Sequence, residues 1–213
     1  REFLSQFCPT LHLRHCQKCK VGQNSEATVH YDVVIIGAGV IGTSIARELS
    51  RYKLDIALLE KEEELAFGVS KSNSGIIHPG TQNPVNSLKG KLCVQGNFLI
   101  RKISKELGLD FKEVGELIVS FNEEETKELL RLKEEAEILG VPGLKIVDKA
   151  WLKQHEPNLN SEAVRGLYAP TAGIISPYRL VYDLAENAVR NKVEIYTKTK
   201  VVNIVRADKY FEI

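Results

Sequence analysis

The sequence predicts an α/β protein: an open parallel-sheet domain interrupted by a mixed α+β module. Three observations carry that prediction. An apolar run, Val33 to Ile36, is followed at once by Gly37-x-Gly39-x-x-Gly42 and a segment of helical period. A second strand-like run, "DIALLE" at 55–60, ends in an acid eighteen residues after the last of those glycines. Farther on, strand-like runs at 114–121 and 164–176 are separated by helical segments, and two last runs follow at 193–197 and 200–205. With 213 residues, 43% of them hydrophobic, the chain can bury a sizeable core.

The first thirty residues show no helical or strand period and read as an unstructured leader. They hold Cys8, Cys16 and Cys19, with His12 and His15 close by. Cys16 and Cys19 form a C-x2-C, but a zinc site needs a second paired spacing and the chain offers none, so no metal is expected. The net charge of +1 gives no electrostatic reason to expect nucleic acid or an anionic membrane as partner. No apolar run reaches bilayer-spanning length, and the expectation is a cytoplasmic protein with peripheral membrane association left open. The chain contains no methionine and ends at "KYFEI", so it reads as the N-terminal part of a longer protein.

Val33 to Ile36 reads as a strand buried on both faces. Gly37 permits a tight turn, Gly39 lets the backbone approach a pyrophosphate, and Gly42 lets helix and strand pack closely. Ile41, Ile45 and Leu49 recur at helical spacing behind them. The N-terminus of that helix, with its unpaired N–H groups and positive dipole end, favours an anion. Glu60 closes the second strand, where an acid can accept hydrogen bonds from an adenosine ribose. Strand, glycines, helix, strand and terminal acid within thirty residues make a Rossmann-type unit that binds a dinucleotide. Glu60 has no arginine immediately after it, which disfavours NADP and leaves NAD or FAD. Residues 68–87, "GVSKSNSGIIHPGTQNPVNS", then form a long polar loop where a nicotinamide dehydrogenase would return to a helix. Such a loop in a compact domain is usually functional, and one placed here could run beneath a flavin.

The remaining segments are read in order. Residues 88–107 form a long helix whose packing face is Leu92, Phe98, Leu99 and Ile103. A helix over 122–140 has Asn122 as N-cap, Gly140 as its stop and a solvated charged face. A short helix in 148–159 ends before Pro157, with Trp151 and His155 as packing and surface residues, and another helix runs from Pro177 through Arg190. Arg101, Arg131, Arg165 and Arg179 read as surface charges in the main. The expected domains are a leader at 1–30, the first part of the dinucleotide-binding domain at 31–107, the first part of a substrate domain at 108–175, and a return to the first domain at 176–213.

The stretch "DVVIIGAGVIGTSIARELSRYKLDIALLEKE…SKSNSGIIHPG" resembles the N-terminal part of the FAD-dependent D-amino-acid oxidase superfamily. "NSGIIHPG", "NSLKGKLCVQGN", "GELIVSFNEEE" and "GIISPYRL" are most similar to the glycerol-3-phosphate dehydrogenases and oxidases within it, and L-2-hydroxyglutarate dehydrogenases share a segment of the same kind. The resemblance covers about residues 31–205. It implies an FAD-binding Rossmann-type domain interrupted by a mixed α+β substrate domain, with FAD as cofactor and hydride delivered from carbon to the flavin. By the same resemblance Gly37, Ala38, Gly39, Ile41 and Gly42 match the pyrophosphate turn, and Glu60 and Lys61 match the adenosine end. Ser70, Ser74, Gly75 and Ile76 match the segment under the isoalloxazine, and Val201 a backbone position at the adenine. His78 falls where these enzymes keep a histidine beside the flavin, so Ser74 and His78 are the expected substrate contacts and His78 the expected catalytic residue. A histidine suits removal of the hydroxyl proton because its ordinary pKa lies near neutrality; merely orienting the hydroxyl is its competing role.

The implied reaction is oxidation of sn-glycerol 3-phosphate to dihydroxyacetone phosphate. Oxidation of L-2-hydroxyglutarate or another 2-hydroxy or amino acid is the alternative, and a flavin-binding fragment without turnover is a third reading. The substrate is a small molecule in both enzyme readings. The electron acceptor (oxygen, a quinone or an iron–sulfur protein) is not specified by these residues.

Overall fold

A computed structural model describes residues 29–213, which form two compact units. The first unit runs up to Asn73 and resumes at Pro177; the second is the continuous segment Ser74–Ser176. The leader cysteines and their neighbouring histidines lie outside the described residues.

In the first unit, β1 (Val33–Ile36) leads through the glycine turn into α1 (Val40–Leu49) and then β2 (Ile56–Leu59). β1 pairs in parallel with β2, Val33 facing Ile56 and Ile36 facing Leu59. After the second unit the chain returns as α5 (Pro177–Arg190) and β8 (Glu194–Tyr196), and β8 pairs in parallel with β2 on its other side. β2 is therefore central, and all four of its residues are buried. Among the described residues β1 has a neighbour on one side only. Its side chains are only partly covered by them and Ile36 is 52% exposed, where the sequence predicts a strand buried on both faces.

α5 buries Val181, Tyr182, Leu184, Ala185 and Ala188 at helical spacing, and Pro177 opens it, where a missing N–H costs no intrahelical bond. It packs against α1 through a core containing Ala46, Ala185 and Ala188, whose small side chains permit close approach. The face that α1 buries is Gly42, Thr43 and Ala46, with Arg47. Ile41 is 74% exposed and Ile45 also faces solvent, so of the three apolar residues at helical spacing only Leu49 packs against the core. The most deeply buried residues are mainly the small ones, with Val40 and Leu49 packed partly buried beside them. The expected strand over 200–205 is mostly irregular: only Val205–Arg206 (β9) is regular, and it pairs with Phe211–Glu212 (β10) in a hairpin.

The second unit is built on an antiparallel sheet. β4 (Glu116–Ser120) and β5 (Lys145–Asp148) flank β6 (Arg165–Ala169), and a separate pair joins β3 (Ile76–Ile77) to β7 (Gly173–Ile174). α2 (Leu88–Leu107) belongs to this unit and not to the dinucleotide-binding one. The first change of unit thus falls at residue 74, well before the boundary expected at residue 108. The cause is visible in the packing: Val94 of α2 meets Ala136 and Val141, and Asn97 bonds the Thr171 carbonyl, all within this unit. α2 buries Gly90, Val94, Asn97, Ile100 and Ser104, whereas Leu92, Phe98 and Leu99 are exposed. The buried face was masked in the sequence because one of its anchors is a polar residue that serves backbone groups.

Local caps follow the sequence closely. α3 (Glu123–Ile138) is opened by Asn122, whose side chain accepts from the Glu125 N–H at 2.8 Å, and three acids in its first turn suit the positive end. Gly140, at φ +88, ends it, and the next N–H returns to the Ala136 carbonyl. Asn122→Ala is expected to destabilise the second unit by about 1 kcal/mol; chemical denaturation checks this. α4 (Lys149–His155) is capped by Asp148, and its Trp151 and His155 rings stack at 4.0 Å.

Candidate functional site

The glycine turn of the first unit opens on a cleft of about 470 Å³. Gly37 and Gly39 line one wall, Glu60 and Lys61 the end of β2, Ser70 the loop, and Val201 the segment after β8. Gly37 adopts φ +98, a conformation that side chains rarely take, and its N–H donates to the Leu59 carbonyl at 2.7 Å, locking the turn to β2. A Cβ on Gly42 would lie 1.9 Å from the Gly37 carbonyl oxygen, so the helix can start this close to the turn only with glycine there. Ser70 accepts from the Val40 N–H through Oγ at 3.0 Å and thereby caps the first turn of α1. The segment of Val201 is placed by backbone bonds from Lys198 to Glu62 and from Thr199 to Glu60.

Glu60 is 8% exposed, and its carboxylate is held at both oxygens: Oε2 accepts from the Ala38 N–H at 2.8 Å and Oε1 from the Glu62 N–H at 3.0 Å. Each oxygen retains a lone pair, so the group can still accept from ribose hydroxyls. A glycine cradle at a helix N-terminus, a buried carboxylate at the end of the next strand and a cleft of this size fit the adenosine and pyrophosphate part of a dinucleotide.

The profile of the family described as FAD dependent oxidoreductase matches residues 32–212. The chain belongs to that family. Its cofactor is accordingly FAD. Among similar proteins, the glycerol 3-phosphate dehydrogenase of Caloramator mitchellensis is 45% identical over 178 residues, which cover 84% of this chain and 37% of that protein. The human mitochondrial L-2-hydroxyglutarate dehydrogenase is 35% identical over 191 residues, covering 87% of this chain and 40% of that one. A solved structure of L-α-glycerophosphate oxidase from Mycoplasma pneumoniae with FAD bound superposes with a TM-score of 0.81 at 36% identity, over 85% of this chain and 48% of that one. The chain therefore spans less than half the length of these relatives.

Within this FAD-dependent family member, Gly37, Gly39, Glu60, Lys61, Ser70 and Val201 line one cleft, and Ala38 holds Glu60. Ile41 projects from α1 into solvent and Gly42 lies under the turn; neither lines the cleft. Ser74, Gly75, Ile76 and His78 belong to the second unit. Gly75 is buried at φ +69 and its carbonyl accepts from Ile175, while Ser74 and Ile76 are exposed. What read as one continuous loop is partly strand, since Ile76 and Ile77 form β3.

His78 follows β3 with its ring exposed and its main chain pinned. Asn97 Nδ2 donates to the His78 carbonyl at 3.1 Å and to the Thr171 carbonyl at 2.9 Å. Arg101 braces Asn97 from below, donating to its Oδ1 at 2.7 Å, to the Thr171 carbonyl at 2.7 Å and to Glu113 at 2.6 Å. Arg101 is thus an internal brace rather than a surface charge, whereas Arg131 does lie in exposed pairs with Glu128 and Glu135. The Cys93 thiol also approaches the His78 carbonyl, at 3.6 Å. Burial pushes that thiol up from its ordinary range, only partly offset by a hydrogen bond with Asn83, so it stays protonated near neutrality and is no nucleophile. His78 Nδ1 lies 3.3 Å from Glu116 Oε2, and Thr81 Oγ1 donates to Glu116 Oε1 at 2.6 Å. Glu116 and Asn97 carry no signal in the sequence, because they reach His78 from β4 and α2, whereas Thr81 stands three residues beyond His78 and meets it only through Glu116.

No group of three or more His, Cys, Asp or Glu among the described residues could hold a metal ion. No helix among them is long and apolar enough to cross a membrane.

Proposed function

We propose that the protein oxidises sn-glycerol 3-phosphate to dihydroxyacetone phosphate, with FAD as hydride acceptor and His78 as the base that takes the hydroxyl proton. The observation that carries the substrate is the 45% identity to a glycerol 3-phosphate dehydrogenase, against 35% to an L-2-hydroxyglutarate dehydrogenase over a similar span. Bound FAD supplies a two-electron acceptor for the hydride. The chain's own residues do the rest. The helix N-terminus and Gly39 receive the pyrophosphate, Glu60 accepts from the ribose, and Ser70 keeps the first turn of α1 in place. Ser74, Gly75 and Ile76 make up the backbone segment assigned to the isoalloxazine ring, with Ser74 at the substrate. His78 keeps Nε2 free of partners among the described residues, which suits an exposed imidazole that must meet a substrate oxygen.

The 2-hydroxy acid reading is favoured by the L-2-hydroxyglutarate dehydrogenase relatives and shares the proton and hydride transfers, differing in the groups to be recognised: two carboxylates in place of a hydroxymethyl group and a phosphate. Anaerobic mixing of the full-length flavoprotein with each substrate decides between them. Glycerol 3-phosphate is expected to bleach the flavin absorbance at least roughly 100-fold faster than L-2-hydroxyglutarate, the discrimination open to a site that pairs buried polar groups. The reverse order would transfer the assignment to the 2-hydroxy acid, and no bleaching by either would leave a flavin-binding protein without this activity.

A further inference from the structure

We propose that Glu116 is a positioning residue for the reaction: through its bond to Nδ1 it fixes the tautomer and aim of His78, and Thr81 fixes Glu116 in turn. The proposal rests on the reading of His78 as the base. A carboxylate can only accept, so the 3.3 Å approach of Glu116 Oε2 to His78 Nδ1 is a hydrogen bond when Nδ1 carries the proton. The lone pair is then on Nε2, the nitrogen with no partner among the described residues. That is the atom that must receive a hydroxyl proton.

The competing description is an ordinary surface ion pair, which holds two long side chains loosely and contributes little. The surroundings argue against it. Glu116 is the first residue of β4, in register with Ala169, and its chain is fixed from the other side by the Gly115 N–H donating to the Ala172 carbonyl. Gly115 holds φ +79, and a Cβ there would lie 2.6 Å from the Tyr168 ring, so the backbone at this point has one path. The carboxylate is 21% exposed and its second oxygen accepts from Thr81, which is 4% exposed. His78 is pinned through its carbonyl by Asn97. Both main chains and the carboxylate are thus anchored independently of the ion pair, and the imidazole is the one part left to turn. Glu116 removes that freedom.

In the step itself the substrate O–H bond breaks and its proton goes to His78 Nε2. The C–H electron pair leaves with its hydrogen for the flavin, and the C–O bond becomes a carbonyl. His78 ends as an imidazolium whose Nδ1–H still points at the carboxylate, so Glu116 also stabilises the charge that develops.

A double-mutant cycle on the full-length flavoprotein tests this, with limiting rates of anaerobic flavin reduction measured by rapid mixing for wild type, Glu116→Gln, His78→Ala and the double variant. The substrate is whichever of glycerol 3-phosphate or L-2-hydroxyglutarate bleaches the flavin. Glu116→Gln is expected to slow reduction roughly 10- to 100-fold, the usual effect of losing such an orienting partner, with the substrate concentration for half-saturation little changed. In the His78→Ala background the same substitution is expected to change the rate by less than about twofold, because residues acting through one another are not additive. Thr81→Val, which keeps the carboxylate but frees one oxygen, is expected to give a smaller loss in the same direction and provides the test if Glu116→Gln fails to bind FAD. An equal loss from Glu116→Gln in both backgrounds, or no loss in the wild-type background, would overturn the proposal while leaving His78 as the base. A wild-type rate in His78→Ala alone would overturn the reading of His78 and this proposal with it.

Discussion

Gly42→Ala is expected to emerge from purification nearly free of FAD and with a lowered melting temperature. The new methyl would lie 1.9 Å from the Gly37 carbonyl oxygen and 3.1 Å from its carbon. Both are backbone atoms, and they are held by the Gly37 N–H bond to the Leu59 carbonyl. No side-chain rotation can relieve the overlap, so α1 must move off the turn and carry its N-terminus away from the anion position. Overpacking of this kind costs roughly 1–3 kcal/mol, and each 1.4 kcal/mol is about tenfold in an equilibrium. Circular dichroism with FAD content per chain is the measurement. Stoichiometric FAD together with an unchanged melting temperature in the variant would mean that the turn does not work as described.

The second large effect is expected from His78→Ala in the full-length enzyme. FAD should remain bound, because the residues around the cleft belong to the first unit, and Asn97 still finds a backbone carbonyl at position 78. Flavin reduction by substrate should fall by roughly 10²- to 10⁴-fold, the range for a positioned acid–base group. Anaerobic stopped-flow absorbance reads this directly. A rate within a few-fold of wild type would return His78 to the ordinary residues of its loop.

The two effects divide along a line that also separates what the sequence makes legible from what it hides. The β1–α1–β2 unit is local: the glycines, the helix they start and Glu60 all lie within thirty residues, and turn chemistry and period identify them together. The same holds for α5, whose limits, Pro177 and Arg190, stand in the sequence, and for Asn122 and Gly140 around α3. Faces are harder to read. Ile41 and Ile45 on α1, and Leu92, Phe98 and Leu99 on α2, are apolar at plausible spacings yet exposed, while Gly42, Ala46 and Asn97 do the packing. Apolar period reports where a helix could be buried, and small or hydrogen-bonded residues decide where two backbones actually meet. The surroundings of His78 are hidden for a different reason. Glu116, Thr81, Asn97 and Thr171 are spread across nearly a hundred residues, and they are brought to one place by the pairing of β3 with β7 and of β4 with β6 and by the bonds of Asn97 from α2.

The order of the chain has a consequence for biosynthesis. β1, α1 and β2 leave the ribosome before Ser74–Ser176, but α5, which covers α1, and β8, which pairs with the other side of β2, leave only after that whole stretch has been made. That middle stretch is continuous and begins and ends side by side, with the Ile175 N–H donating to the Gly75 carbonyl at 3.0 Å. It can close on itself during synthesis, since domains fold as units in the order they emerge. The apolar edge of β2 and the face of α1 must meanwhile wait for residues 177–196, exposed to any other strand or chaperone in reach. Translational pauses within that stretch would prolong this exposure, and the glycine cradle would acquire its far wall, Thr199 to Val201, only after α5 and β8 have followed.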